Sequence, residues 1–265
     1  MSIVTQAKPV ISIITVNFND RDGLLLTAQS LVGQSFKEYE WVVVDGGSSD
    51  DSVTVAQDHA RLQDIVVSEP DDGIYDAMNK GIKLASGQYI VFMNAGDAFY
   101  DAQTLSLVAN SYGGADKPPA MIFGDGVEVD AEGGELYRKA KTPKHLWYGM
   151  FAIHQSVYFL RELIEKNNID HDLSFKIAAD YYFCCLLHKL DRSFIKIERP
   201  LCKFDVGGVS STDPSLGRKE TGRARSESGI CAYYVRLIAV ASQFGMHFAK
   251  RHCRGLWLKL KAIGL

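Results

Sequence analysis

Residues 68–97 read SEPDDGIYDAMNKGIKLASGQYIVFMNAGD, a stretch that combines a turn, a helix and a strand ending in polar residues. Apolar residues three and four positions apart predict a helix over 74–85. One face of this predicted helix carries Ile74, Met78, Ile82 and Ala85. The apolar run 89–93 then predicts a strand covered on both faces. The break into Asn94-Ala95-Gly96-Asp97 places one amide and one carboxylate beyond the tip of that strand.

The same alternation of strand and helix precedes this stretch. Strands are expected over 10–18, 39–47 and 64–70, and helices over 22–34 and from Ser49 or Asp50 to about Ala60. Such alternation indicates a parallel sheet with right-handed crossovers. Ligands of parallel sheets bind beyond the carboxyl ends of the strands. The polar residues at these ends are therefore site candidates: Asn17, Asn19, Asp45, Asn94 and Asp97.

The second half of the chain alternates less regularly and predicts a mixed extension of the sheet. Strands are expected over 119–129, 135–141 and 194–206, a strand followed by a helix over 155–167, and a helix over 177–190. Residues 207–217 have the composition of a mobile loop, and another helix is expected from about Arg218. We therefore predict one α/β domain over residues 1–227.

The charge distribution sets residues 228–265 apart. This segment contains no acid and six basic residues, although the whole chain has a net charge of −3. One helical face of the segment carries Tyr234, Leu237, Ile238, Ala241, Phe244 and Phe248. Basic amphipathic segments contact nucleic acid or an anionic membrane surface, and packing on the domain or in a homodimer is the alternative. We expect contact with a membrane to be peripheral, since no apolar run approaches the ~20 residues of a spanning helix. We expect no nucleic-acid partner.

Asp45 ends the second predicted strand, in the sequence VDGGSSDDS over 44–52. In one interpretation it accepts hydrogen bonds from a nucleotide base or ribose, and the glycines admit the ligand close to the backbone. In the other it belongs to an ordinary strand-to-helix turn. The segment is not GxGxxG, so a dinucleotide site of the Rossmann type is not indicated.

Asp97 is suited to a divalent cation that bridges a diphosphate. Mg²⁺ and Mn²⁺ take hard oxygen ligands, often only one or two of them from protein. The alternative is a turn aspartate at the end of an ordinary strand.

The order of these segments resembles a known family. DGGSSD, EPDDGIYDAMNKGI, FMNAGD, HQ, AADYY and GGVSS follow one another as in the family 2 glycosyltransferases, inverting enzymes of the GT-A fold, over about residues 9–225. The motifs GIYDAMNKG and NxGD are most similar to those of small bacterial exopolysaccharide and O-antigen transferases of the colanic-acid fucosyltransferase type. The resemblance implies a Rossmann-like, nucleotide-sugar-binding fold with a mostly parallel central sheet and C-terminal helices. Its donor-binding half would span about 9–100 and its acceptor half about 118–227.

The resemblance also implies roles for single residues. The general base would be Asp180, and Asp97 would bind Mn²⁺ or Mg²⁺ as the remaining acid of a motif that is usually Asp-x-Asp or Asp-x-Asp-Asp. The implied donor-binding residues are Thr15, Asn17, Asp45, Asp72, Lys80, Asn94, Ala95 and Gly96. The candidate acceptor or phosphate contacts are His154, Arg218 and Arg223. Without the resemblance, Asp180 is equally an acid stabilised by a helix N-terminus, His154 a structural histidine, and the arginines a solvated helix start.

The implied activity is inverting transfer of one sugar from GDP-fucose or a UDP-hexose to a lipid-linked oligosaccharide. The QxxRW pattern of processive synthases is absent, so we expect one sugar per acceptor. We expect a cytoplasmic protein, peripheral at the inner face of the cytoplasmic membrane. The alternatives are a nucleotidyltransferase and a non-catalytic nucleotide-sugar-binding protein.

Overall fold

The computed structural model describes residues 9–113, 117–130, 132–205 and 213–230. Its strands are β1 (Ile11–Asn17), β2 (Tyr39–Asp45), β3 (Ile65–Ser68), β4 (Tyr89–Phe92), β5 (Ala98–Phe99), β6 (Met121–Val129), β7 (Glu135–Arg138), β8 (Val157–Leu160) and β9 (Phe194–Asp205). Its α-helices are α1 (Arg21–Val32), α2 (Ser52–His59), α3 (Ile74–Leu84), α4 (Thr104–Asn110), α5 (Arg161–Lys166), α6 (Ala179–Leu190) and α7 (Pro214–Ser228). Short 3-10 helices cover Pro143–Trp147 and His154–Ser156.

The described strands form one sheet in the order β3-β2-β1-β4-β8-β6-β9-β5, and β7 pairs with β6. The strands β3, β2, β1 and β4 are mutually parallel, as the alternation of strands and helices predicts. Asn17 is in register with Asp45, and Asp45 with Ser68. The polar residues that end three neighbouring strands therefore lie side by side at one edge of the sheet.

Two hydrophobic cores cover the two faces of this sheet. On β1, Ile14 and Val16 pack into the core that contains residues of α3 and α6. Ile11 and Ile13 point to the opposite face, into the core that contains residues of α1, α2 and α4. Successive strand residues point to opposite faces, so continuous apolar strands are required here. The apolar runs of the sequence therefore correctly predict strands that are buried on both sides.

Helix α3 lies very close to the sheet at Gly81. A Cβ atom built at Gly81 would overlap Cγ2 of Ile14, which is a stiff β-branched residue of buried β1. The absence of a side chain at Gly81 thus sets how closely α3 approaches β1. This contact fixes the distance between the sheet and α3, the helix that carries the YDAMN sequence over 75–79.

The second half extends the sheet with mixed directions, as predicted. β8 is antiparallel to β4 and to β6, β9 is parallel to β6, and β5 is antiparallel to β9. The pairing of β5 with β9 brings the chain just after Asp97 against the end of the last strand. The second half therefore contributes residues to the edge that the first half begins.

Several sequence predictions need correction. Helix α7 begins at Pro214, earlier than predicted, because the Asp213 side chain accepts hydrogen bonds from the backbone N–H groups of Ser215 and Leu216. Ile74 is exposed at the start of α3, although Met78 and Ile82 on the same predicted helix face are buried. Helix α4 and strand β5 were not predicted. The predicted segment 228–265 lies outside the described residues beyond Ile230.

Within the ranges that the structure describes, no helix is both long enough and apolar enough to cross a membrane.

Candidate functional site

A hydrogen-bond network joins the ends of β1, β2 and β3. Asp45 Oδ1 accepts from Asn17 Nδ2 at 2.8 Å and from the Ser48 hydroxyl at 2.5 Å. Its Oδ2 accepts from the Ser48 backbone N–H at 2.9 Å and from the Ser68 hydroxyl at 2.6 Å. Burial raises the pKa of Asp45, but these hydrogen bonds outweigh burial and lower the pKa overall. Asp45 is therefore a buried carboxylate that holds the edge of the sheet in shape.

Two further side chains lie at this edge and were missed in the sequence analysis. Phe18 follows β1 directly and is 65% exposed, which is unusual for a large aromatic residue. A Cβ atom built at Gly46 would lie 3.2 Å from Phe18 Cδ2 and 2.7 Å from Asp71 Oδ2. Gly46 thus leaves room for an aromatic face and a carboxylate side by side. The position of Phe18 immediately after the last buried strand residue was the available signal.

Of the predicted donor contacts, Asp72 lies in the turn that precedes α3, and Lys80 lies within α3 with its side chain reaching that turn. Lys80 Nζ forms ion pairs with Glu69 at 3.0 Å and Asp76 at 3.4 Å, and donates to the Pro70 carbonyl at 2.9 Å. The Asp72 backbone N–H donates to Asp76 Oδ2 at 3.2 Å, and the Asp72 side chain is exposed. The donor roles of both residues stay predictions.

The turn Asn94–Asp97 is held from α1 and from the second half of the chain. The Thr27 hydroxyl contacts the carbonyl oxygens of Asn94 and Asp97, at 3.1 Å and 2.7 Å. Gln155 Nε2 donates to Asp97 Oδ2 at 2.8 Å, and the Asp205 backbone N–H donates to Asp97 Oδ1 at 3.3 Å. Burial raises the pKa of Asp97 to about 7, against the lowering effect of the Gln155 hydrogen bond. A buried carboxylate of this kind is stabilised by a cation.

The same turn offers oxygen atoms that suit a hard divalent cation. Asn94 Oδ1 is buried and has no hydrogen-bond partner among the described residues. Gly96 has a φ of +90°, and a Cβ built there would lie 3.9 Å from Oδ2 of both Asp20 and Asp205. Within the described ranges, no three His, Cys, Asp or Glu side chains converge on one point. The Asp97 carboxylate and the Asn94 amide oxygen are the hard oxygen ligands that a divalent cation prefers, and such cations often take only one or two ligands from protein.

Asp180 is the second residue of α6 and is partly buried. Its Oδ1 accepts from the Tyr181 backbone N–H at 2.7 Å. Burial raises the pKa of Asp180. A carboxylate with a raised pKa is a stronger proton acceptor, which suits general-base chemistry.

Helix α3 holds the segment that leads into α6. The Tyr75 hydroxyl donates to the Ile177 carbonyl at 2.6 Å. Asn79 Nδ2 donates to the His171 carbonyl at 2.8 Å, and Asn79 Oδ1 accepts from the His171 backbone N–H at 2.8 Å. The YDAMN sequence therefore connects the first half to the helix of Asp180. Sequence analysis located these residues on a helix but did not identify this role.

His154 belongs to a buried aromatic cluster. Its ring stacks on Phe92 with a centroid separation of 5.1 Å, and its Nε2 has no hydrogen-bond partner within the described ranges. His171 stacks on Phe183 at 4.4 Å. Burial lowers the pKa of both histidines, so both are neutral near pH 7. The surroundings of His154 are mostly aromatic, and its predicted contact with acceptor or phosphate stays a prediction.

Two side chains predicted to contact the donor, acceptor or phosphate instead bind other residues of the protein. The Thr15 hydroxyl is buried and accepts from Trp41 Nε1 at 2.9 Å, inside the core rather than at the edge of the sheet. The Arg223 guanidinium stacks on Phe175 at 3.8 Å and hydrogen-bonds to Ser174 and Glu227. Arg218 is the fifth residue of α7 and is partly buried.

Comparison with known proteins identifies the family. Residues 12–180 match the family model of Glycosyl transferase family 2. The chain is 34% identical over 208 residues to an uncharacterized glycosyltransferase of Mycobacterium tuberculosis, covering 77% of this chain and 78% of that protein. It is 30% identical over 192 residues to a PGL/p-HBAD biosynthesis glycosyltransferase of Mycobacterium bovis, covering 67% of this chain and 69% of that protein.

A solved structure shows the same fold. S. aureus TarS 1-349, in complex with UDP-GlcNAc, superposes with a TM-score of 0.71 and 17% sequence identity. The match covers 91% of this chain and 73% of that chain. The family model, the two relatives and this fold agree with one another: the chain belongs to glycosyltransferase family 2 and is a glycosyltransferase with the GT-A fold.

Proposed function

We propose that the protein transfers one sugar, with inversion, from a nucleoside-diphosphate sugar to a hydroxyl group of a lipid-linked glycan in cell-surface polysaccharide synthesis. The observation that carries the proposal is the pair His154–Gln155. Gln155 donates to Asp97 at 2.8 Å, and the adjacent His154 lies within electrostatic range of Asp180. These two consecutive residues therefore link the surroundings of Asp97, an acid suited to a diphosphate-bound cation, with those of Asp180, a carboxylate suited to proton removal.

The donor would bind along the edge that carries Asn17, Asp45 and Phe18. An exposed aromatic face beside Gly46 and Asp71 offers stacking and hydrogen bonding to a nucleobase. The TarS complex with UDP-GlcNAc supports a nucleotide sugar as ligand of this fold. The candidate donors are those that the family resemblance implies, a UDP-hexose or GDP-fucose.

A divalent cation, Mn²⁺ or Mg²⁺, would be held at the Asn94–Asp97 turn by Asp97, with oxygen atoms of Asn94 and Asp205 nearby. Such a cation supplies positive charge to the departing diphosphate. Gln155 would fix the orientation of the Asp97 carboxylate, since it already donates to Oδ2.

Asp180 would accept the proton of the acceptor hydroxyl. The acceptor oxygen forms a bond to the anomeric carbon, and the bond between that carbon and the diphosphate oxygen breaks. Attack opposite the leaving group inverts the anomeric configuration. The raised pKa of Asp180 favours this role, because burial makes its carboxylate a stronger base.

The acceptor and the location rest on the relatives and on the C-terminal sequence. The relative named for PGL/p-HBAD biosynthesis supports a biosynthetic role for the transfer, and the lipid-linked acceptor follows from the family resemblance and the C-terminal segment. The basic, amphipathic segment 228–265 would keep the enzyme at the inner face of the cytoplasmic membrane, where a lipid-linked acceptor is within reach. Transfer of a single sugar agrees with the absence of the QxxRW pattern.

The test begins with thermal-shift titrations of UDP, GDP and their sugars, with and without Mn²⁺. The sugar nucleotide that stabilises the protein most is then incubated with octyl glycosides and polyprenyl-diphosphate-linked sugars. We expect nucleoside diphosphate release that depends on the acceptor, and an inverted product by NMR. Pyrophosphate release from a nucleoside triphosphate would indicate a nucleotidyltransferase instead. Binding without turnover on every acceptor would indicate a non-catalytic nucleotide-sugar-binding protein.

A further inference from the structure

The N-terminus of α6 lacks a side-chain cap at its N-cap position. Its N-cap residue is Ala178, whose side chain cannot accept a hydrogen bond, and the helix shows no local side-chain cap. Helix N-termini leave backbone N–H groups without intrahelical partners, and Ala is a poor N-cap residue. The start of the helix that carries Asp180 therefore depends on partners from elsewhere in the chain.

Glu220 of α7 binds the backbone N–H groups of the N-cap residue and of the two residues before it. Its Oε1 accepts from the Lys176 backbone N–H at 2.8 Å, and its Oε2 accepts from those of Ile177 at 2.8 Å and Ala178 at 3.0 Å. The side chain is 6% exposed, so water offers little replacement for these bonds. Hydrogen bonds from backbone N–H groups to a carboxylate are stronger than those to a neutral acceptor. One buried carboxylate thus organises three consecutive residues that end two positions before Asp180.

The other contacts of this segment leave Glu220 as its principal anchor at the start of α6. Tyr75 holds the Ile177 carbonyl from the α3 side, and Arg223 holds Ser174 and the Phe175 ring four and three residues before Ala178. Neither binds the N–H groups of residues 176–178. Within the described ranges, Glu220 is the side chain that accepts from all three.

We propose that Glu220 is a positioning residue for Asp180: by capping α6 from α7, it holds the Asp180 carboxylate where it meets the acceptor hydroxyl. The inference rests on the proposed function, because it gives Asp180 the role of general base. It also assigns α7 a part in catalysis although its residues need not touch either substrate. Displacement of a catalytic group by about 1 Å can reduce the rate on the order of 100-fold.

The test compares Glu220→Gln with a matched control, Glu227→Gln, on the full-length protein. Gln has nearly the shape of Glu, but its amide nitrogen cannot accept a hydrogen bond, so one side of the cap is lost. Glu227 lies on the same helix, is exposed and pairs only with Arg223 among the described contacts. The two variants therefore share the chemical change and differ in the contact with residues 176–178.

Amide hydrogen exchange, measured by mass spectrometry without any substrate, reports the cap directly. In Glu220→Gln we expect exchange of residues 176–182 to rise about 10-fold or more, since buried N–H groups lose a charged acceptor. Exchange in Glu227→Gln should match the wild type over this segment. Unchanged exchange in Glu220→Gln would overturn the proposal.

Turnover separates positioning from a purely structural cap. Nucleoside diphosphate release, measured with the donor and acceptor selected above, should fall about 10-fold or more in Glu220→Gln, while donor affinity stays within about two-fold. In an Asp180→Asn background the same change should lower the remaining rate less than about two-fold, because its effect passes through Asp180. Raised exchange with wild-type turnover, or a full further loss in the Asp180→Asn background, would overturn the positioning role.

These readouts keep the two hypotheses apart. If the proposed function fails, the wild type shows no acceptor-dependent turnover, or Asp180→Asn retains it, whatever Glu220→Gln does. If only the inference about Glu220 fails, Asp180→Asn loses turnover, while Glu220→Gln keeps the wild-type rate or wild-type amide exchange, or causes a full further loss in the Asp180→Asn background.

Discussion

When no cation is bound, the buried charge of ionised Asp97 lowers the free energy of unfolding. Its pKa is raised from 3.8 to about 7 by burial, so the folded state binds a proton more tightly than the unfolded state does. The stability of the wild type should therefore fall as the pH rises from about 4 to about 7. The shift corresponds to at most about 4 kcal/mol. Asp97→Asn should raise the melting temperature at pH 8 and change it little at pH 5, as measured by differential scanning calorimetry with EDTA.

Mn²⁺ should reverse this pattern in the wild type. Because the cation favours the ionised carboxylate, its stabilising effect with bound nucleotide should grow between pH 6 and pH 8 and disappear in Asp97→Asn. Asp45→Asn is the control of opposite sign, since the pKa of Asp45 is lowered by its hydrogen bonds. That variant should be less stable than the wild type at pH 7. Equal pH profiles for wild type and Asp97→Asn would contradict this account of the Asp97 turn.

Single residues were predictable where a polar side chain follows an apolar strand. Asn17, Asp45 and Asp97 were found this way, and the structure places each at the edge of the sheet. Gln155 and Asp205 contact Asp97 from distant parts of the chain. The local amino-acid sequence does not predict contacts between residues so far apart in the chain. Thr15 shows the converse, since its hydroxyl looks available in the sequence but is bound by Trp41 in the core.

At the scale of elements, the closeness of α3 to β1 predicts the effect of a single methyl group. Gly81→Ala would force a Cβ atom into Ile14 of buried β1. We expect a loss of about 1–3 kcal/mol in the free energy of unfolding, measured by urea denaturation, because overpacking outweighs the higher helix propensity of Ala.

Gly222→Ala in α7 is the matched control, because a Cβ built there meets nothing within 4 Å among the described residues. It should leave stability unchanged or raise it by up to about 1 kcal/mol. If Gly81→Ala is as stable as Gly222→Ala, the α3–β1 contact does not set the position of the helix.

The strands and helices of the first half were predictable because its apolar residues recur with the spacing of a buried strand or of an amphipathic helix. The first and last residues of each element were harder to predict. Helix α7 begins at Pro214 because the Asp213 side chain caps it, and the Asp-Pro sequence carried that signal within a stretch that otherwise resembles a loop. The cap of α6 was not predictable from local sequence, because it comes from Glu220 in another helix.

At the scale of the whole molecule, the sheet order could not be read from the sequence, because antiparallel β8 is inserted between β4 and β6. This insertion brings Gln155, just before β8, to Asp97. The C-terminal segment lies outside the described residues, and its membrane role stays a prediction from composition and helical periodicity.

Deleting residues 250–265 should weaken binding to phosphatidylglycerol vesicles, measured by co-sedimentation, more than it lowers turnover on a soluble acceptor. Replacing Lys250, Arg251, Lys259 and Lys261 by Gln separates charge from apolar contact, since each base contributes about 1 kcal/mol near an anionic surface. That variant should lose vesicle binding about 100-fold or more at low salt. Undiminished binding, or an unfolded truncated protein, would make the segment structural.

The role of Asp180 tests the central claim most directly. Asp180→Asn is compared with Asp191→Asn, the same change at the other end of α6, by titrating the donor and measuring turnover on the same preparations. A base acts on the acceptor hydroxyl, so donor affinity should stay within about two-fold while turnover falls by about 10²–10⁴. The control should keep most of its turnover. Turnover of Asp180→Asn within a few-fold of the wild type would remove Asp180 from the mechanism, and lost donor binding would make it a donor-site residue instead.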